Sequence, residues 1–104
     1  MPLSRPLKKI LDQPITFPLG QEDLATIVRE TGVPYRTLGE RLGQIHPDFK
    51  RAGSTMYAYK YGRIPVTAEV ALGLRLFVTR WALDHKYEVP AQYEIELAAW
   101  NRVS

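Results

Sequence analysis

Apolar positions recur at three- and four-residue spacing through most of the chain from Gln21 onward, and the polar residues between them mark where helices start and stop. Leu24, Ile27 and Val28 share one helical face behind the acidic pair Glu22 and Asp23, and Gly32 is a suitable stop. A second helix is predicted from about Pro34, a residue favoured at the first helical position, through Leu38 and Leu42 to Gly43. Residues 44–53 mix Pro47, Gly53 and charge with two large apolar side chains, so they read as a loop anchored by Ile45 and Phe49. A third, short helix covers Ser54 to Tyr61, capped by Ser54 or Gly53, with Met56 and either Ala58 or Tyr59 turned inward, and Gly62 ends it. The strongest periodicity follows. Thr67 caps a helix reaching about Leu83, in which Val70, Leu74, Phe77, Val78 and Trp81 recur, while Leu72 and Leu76 widen the apolar surface and predict contact on two sides. A last helix, from about Pro90 to Asn101, sets Tyr93, Leu97 and Trp100 on one face, with Ile95 and Ala99 nearby.

The first twenty residues break this pattern. Pro2, Pro6, Pro14 and Pro18 fix backbone angles and remove amide donors, so an irregular arm is predicted there, with at most a turn through Leu7 to Leu11. Leu3, Leu7, Ile10 and Leu11 are available to pack on the body, and Arg5, Lys8 and Lys9 to follow a phosphate backbone. The expected fold is all-α: a compact bundle of about five helices with an N-terminal arm (1–20), a central helical region (21–83) and a C-terminal helical extension (84–104), one structural domain overall.

Composition narrows the chemistry. A chain of 104 residues with 45% hydrophobic and 24% charged residues has the make-up of one globular domain. Without cysteine there is neither a disulfide framework nor a thiolate metal site, and His46 and His85 lack ligand spacing, so no metal is expected. No long uninterrupted apolar run marks a signal peptide or membrane span, and a cytoplasmic location is expected. The net charge of +3 is unevenly spread: residues 1–83 carry 12 basic and 7 acidic side chains, the remainder 2 and 4. The basic surface, and any anionic partner, belong to the front and middle. Catalysis finds little support. Glu94 and Glu96 diverge around a helix, Asp84 and His85 adjoin no nucleophile, and there is no glycine-rich phosphate loop, so neither an enzyme nor a cofactor is expected.

The segment Ser54-Thr55-Met56-Tyr57-Ala58-Tyr59-Lys60-Tyr61-Gly62-Arg63-Ile64-Pro65 is too short for core architecture and is rich in hydroxyls and positive charge. With Gly32-Val33-Pro34-Tyr35-Arg36-Thr37-Leu38-Gly39-Glu40-Arg41-Leu42-Gly43 before it, it resembles the Cro/repressor-type helix-turn-helix family, the xenobiotic-response-element family, over roughly Leu24 to Phe77. In that family the second helix carries a leucine, a small residue and, after three variable positions, glycine, matched by Leu38, Gly39 and Gly43; the small residue lets two helices approach closely. The third helix starts with small hydroxylated residues and ends in an aromatic, glycine, a basic residue and soon proline, matched by Ser54, Thr55, Tyr59 or Tyr61, Gly62, Arg63 and Pro65. One feature departs from the pattern: ten residues, Gln44 to Gly53, separate the two helices where the family has three or four.

The resemblance implies a sequence-specific regulator of transcription, a repressor from a phage, mobile element or bacterial operon, that binds double-stranded DNA. An α-helix fits the major groove. Ser54, Thr55, Tyr57 and Ala58 are then placed nearest the bases, with Ala58 against a thymine methyl. Lys50, Arg51, Lys60 and Arg63 contact the DNA backbone, and Arg36 with Thr37 a neighbouring phosphate. A competing register makes the helix from Pro34 to Gly43 the reader, with Tyr35, Arg36 and Thr37 at bases and Arg41 at a phosphate. A domain of this size makes few base contacts, which favours a homodimer on a palindromic operator. The candidate interface is Leu76, Trp81, Tyr87, Tyr93, Leu97 and Trp100; the same residues suit the core of a monomer. The alternative function is a protein-interaction module, an inhibitor or antitoxin-like adaptor, working through these C-terminal aromatics.

Overall fold

The computed structural model describes residues 2–102. Six α-helices follow one another: α1 (Arg5–Asp12), α2 (Gln21–Thr31), α3 (Tyr35–Ile45), α4 (Gly53–Lys60), α5 (Ala68–Asp84) and α6 (Ala91–Arg102), with a single 3-10 turn, Pro47–Phe49, between α3 and α4. The described residues contain no strand, only an isolated bridge between Pro2 and Glu88. The chain is therefore a compact all-α bundle, with a radius of gyration of 12.6 Å.

The predicted irregular arm is a helix. Pro6 falls in the first turn of α1, where its missing amide hydrogen has no intrahelical acceptor, and Pro14 comes only after the helix has ended. Leu3, Leu7, Ile10 and Leu11 are buried. They seat α1 against α2 and α5, so residues 1–20 belong to the same core as the rest.

Local signals fix most of the other boundaries. Gly32 ends α2 with φ +72°, a left-handed conformation that costs glycine little, and its amide donates to the carbonyl of Val28. Thr67 Oγ1 accepts a bond from the amide of Val70 at 3.2 Å and caps α5. The start of α4 is different from the expectation: Ala52 occupies the cap position and no side chain caps the helix, with Gly53 and Ser54 inside its first turn.

Helix α5 is the centre of the molecule. Val70, Leu74, Leu76, Phe77, Val78 and Ala82 are all buried, and the helix meets α1, α2, α3, α6 and the 3-10 turn. Of the widened apolar surface, Leu76 is fully covered by the chain itself and Leu72 partly.

Arg75, in the middle of α5, is fully buried. Its guanidinium donates to the carbonyl of Phe17 at 2.7 Å and that of Ile15 at 3.2 Å, which fixes the loop between α1 and α2. Burial lowers the affinity of this guanidinium for its proton, partly offset by the nearby Tyr93, whose own hydroxyl is pushed above the usual phenol range by burial. Tyr93 donates to the carbonyl of Gln13 at 3.0 Å and ties α6 to the same loop. Removing a buried charge offsets the loss of its bonds. Arg75→Met is therefore expected to shift global stability by less than about 1.5 kcal/mol while amide exchange in residues 15–17 accelerates at least about tenfold. Exchange unchanged in that loop would show that Arg75 does not hold it.

Candidate nucleic-acid interface

Helix α4 packs closely on α3 because Gly39 removes the side chain between them. A Cβ at Gly39 would stand 2.3 Å from the carbonyl oxygen of Arg51 and 2.9 Å from Met56 Cγ. The inner side of α4 is Met56 and Tyr59, both buried. Of the two tyrosines within α4 and Tyr61 at its C-terminal cap, only Tyr59 enters the core; Tyr57 is 37% and Tyr61 60% exposed. Ser54 is exposed, and Thr55 and Ala58 are half-buried at the flanks of the same outward face. At the far end, Gln21 Nε2 donates to the carbonyl of Lys60 at 2.7 Å, so α2 caps α4, and Gly62 leaves the helix at φ +68°.

The inserted segment between α3 and α4 is built rather than loose. Ile45 closes α3 in the core, and Phe49 is fully buried with its ring 4.7 Å from that of Trp100 and 6.0 Å from that of His46. His46 Nδ1 accepts from the amide of Asp48 at 3.1 Å and so caps the 3-10 turn. Arg51 donates to the carbonyls of Asp48 and Lys50, both at 2.8 Å, and pairs with Glu69 of α5. That carboxylate strengthens the hold of Arg51 on its proton. Arg51 was expected at a DNA phosphate; in the structure its guanidinium fastens the insertion to α5 through the carbonyls of Asp48 and Lys50 and the carboxylate of Glu69.

The other predicted backbone-contact residues remain at the surface around α4. Arg36 is exposed at the start of α3 and lies along Gly53, where a Cβ would come within 3.1 Å of its Nε. It therefore stands beside the uncapped first turn of α4, where helix amides and a guanidinium both favour an anion. Thr37 is half-buried on α3; Lys50 and Arg63 are exposed. None of Arg36, Lys50, Lys60 or Arg63 forms an ion pair with a carboxylate among the described residues.

Tyrosines join α3 to α4 on this face. The ring of Tyr35 stacks with Tyr57 at 6.2 Å, and Tyr57 with Tyr61 at 6.5 Å. Lys60 Nζ lies 5.1, 5.7 and 5.3 Å from the centroids of Tyr35, Tyr57 and Tyr61, and Arg63 Cζ 5.6 Å from that of Tyr61. Residues from both helix registers weighed in the sequence, Tyr35 and Arg36 from one and Ser54 and Tyr57 from the other, thus occupy one surface. The pattern of Tyr35 and Tyr57 gives no hint of this stacking, because the 21 intervening residues include an insertion whose path only packing fixes.

The predicted dimer seam fares differently. Leu76, Tyr93 and Leu97 are buried within a single chain and have no surface to offer a partner. Trp100 is half-buried against Phe49 and His46. Trp81 and Tyr87 stay partly exposed, stacked on each other at 5.7 Å with His85 beside them. No helix among the described residues is long and apolar enough to cross a membrane. Compared with known proteins, the chain matches no family model, no curated protein and no solved structure.

Proposed function

We propose that this chain is a double-stranded DNA-binding regulator of the repressor kind, with α4 as its reading helix. The observation that carries the reading is the outward face of α4: short hydroxyls and two exposed tyrosines, with Arg36, Lys60 and Arg63 beside it and Lys50 on the segment that leads into it, none with a carboxylate partner among the described residues. A helix presented in this way fits the major groove, with side chains of its first turns at base edges and flanking cations at phosphates. Ser54, Thr55, Tyr57 and Ala58 are assigned to the bases, and Arg36, Thr37, Lys50 and Arg63 to the DNA backbone. Recognition of a palindromic operator by a homodimer is part of the proposal, but the pairing surface must lie outside Leu76, Tyr93 and Leu97. The adaptor reading keeps Trp81, Tyr87 and Trp100, which are half-buried, and loses Tyr93 to the core.

Selection of bound duplexes from a random pool tests the assignment. A symmetric motif is expected, with Thr55→Ala and Tyr57→Ala each weakening the selected site by about 1 to 3 kcal/mol and relaxing the preference at particular base pairs. With about four phosphate contacts, affinity should fall roughly a hundredfold between ~50 and ~200 mM salt. No enrichment at low salt would overturn the reading and leave the adaptor function in its place.

A further inference from the structure

Lys60 is placed differently from the other cations of the α4 face. Its ammonium lies within 5.1 to 5.7 Å of three tyrosine ring centroids, it is half-buried, and it makes no side-chain hydrogen bond or ion pair among the described residues. The rings are close to parallel, 27° between Tyr35 and Tyr57 and 20° between Tyr57 and Tyr61. An ammonium within about 6 Å of a ring centroid is attracted to the ring, and a lysine stem covers apolar surface as it reaches there. One cation shared by three rings holds them in a single order. Tyr57, exposed on a helix of only eight residues, and Tyr61, exposed at its C-terminal cap, would otherwise sample several rotamers.

We infer that Lys60 is a positioning residue for base recognition: it orders a ladder of Tyr35, Tyr57 and Tyr61 across α3 and α4, and this ladder reads the bases. The inference rests on the DNA-binding reading above and changes the role expected of Lys60 from the sequence, from a phosphate ligand to a residue that acts through tyrosines. It also brings Tyr35, on the neighbouring helix, into the recognition surface. The two roles leave different signatures. A phosphate ligand adds about 0.9 to the salt slope and nothing to base preference, whereas a positioning residue affects base preference and leaves the slope nearly unchanged.

The experiment uses the full chain and the duplex selected by the wild type, compared with that duplex altered at the base pairs that Tyr57→Ala relaxes. Lys60→Gln is expected to reduce discrimination between these duplexes about tenfold while the salt slope changes by less than about 0.5. Lys60→Arg should restore discrimination, because a guanidinium also stacks on aromatic rings. In a Tyr57→Ala background, Lys60→Gln should have little further effect on discrimination, as two residues acting through one contact are not additive. In the free protein, Lys60→Gln should move the ring resonances of Tyr35, Tyr57 and Tyr61 together. A slope lowered by about one with discrimination intact would return Lys60 to the phosphates and overturn the inference. Ring resonances unmoved by Lys60→Gln would overturn it without reference to DNA. Failure of the wild type to select any duplex would instead bring down the DNA-binding reading on which it stands.

Discussion

Replacing Phe49 by alanine is expected to destabilise the protein by about 3 to 5 kcal/mol, the range for deleting a buried aromatic ring. Phe49 is the one large apolar side chain of the 3-10 turn, and it is fully buried. It fills the space opened by Gly73 on α5, where a Cβ would stand 2.9 Å from its Cγ, and its ring meets those of Trp100 and His46. Nothing nearby can collapse into the hole without moving α5 or α6, so most of the cavity cost should remain. For a domain of this size the loss corresponds to a drop in Tm of about 15 °C or more. Thermal unfolding of Phe49→Ala followed by circular dichroism measures it; a drop of only a few degrees would mean that the insertion is not anchored in the core. Such a loss is a large part of the roughly 5 to 15 kcal/mol that holds a typical domain together.

Gly39→Ala should be the second most damaging single change, costing about 3 kcal/mol, at the upper end of what overpacking does. The added methyl would stand 2.3 Å from the carbonyl oxygen of Arg51, a backbone atom that is itself held by the bond from the amide of Arg51 to the carbonyl of Gly39. Arg51 is also pinned through its guanidinium to Asp48, Lys50 and Glu69, so it has little freedom to retreat. The strain must then pass to α4, which should tilt away from α3 and separate Tyr57 from Tyr35. Denaturant unfolding gives the stability change, and DNA affinity of the folded fraction gives the functional one. A Gly39→Ala protein as stable as the wild type would refute the close approach of the two helices. Arg75→Met, by contrast, should leave stability nearly as it was, because there the lost bonds and the removed buried charge oppose each other.

The outcome at each site follows from which of its determinants are local. Gly32, Gly62 and Thr67 acted as stop, stop and cap because left-handed glycine and a threonine cap depend on a few consecutive residues. The inward turn of Met56 was readable from spacing, which left Ala58 and Tyr59 as alternatives for the second inward residue, and the burial of Ile45 and Phe49 was readable from their size and apolarity. Pro6 misled because a proline is tolerated in a first turn and forbidden later, and its place depends on where the helix begins. Arg75 gave no signal at all: an arginine within an apolar run looks the same whether it snorkels to solvent or serves two carbonyls of a distant loop.

By itself, then, the amino-acid order determined that the chain is helical, where most helices end, and that the charge and hydroxyls of residues 54–63 gather on one short segment. Tertiary structure alone decided that Arg51 pairs with Glu69, that Leu76, Tyr93 and Leu97 are core, and that Tyr35 stacks on Tyr57 with the ammonium of Lys60 near both rings. The physical reason is range. Backbone dihedrals and helix periodicity answer to neighbours within about one or two turns, whereas burial and pairing depend on which distant surfaces the packing of α5 brings together.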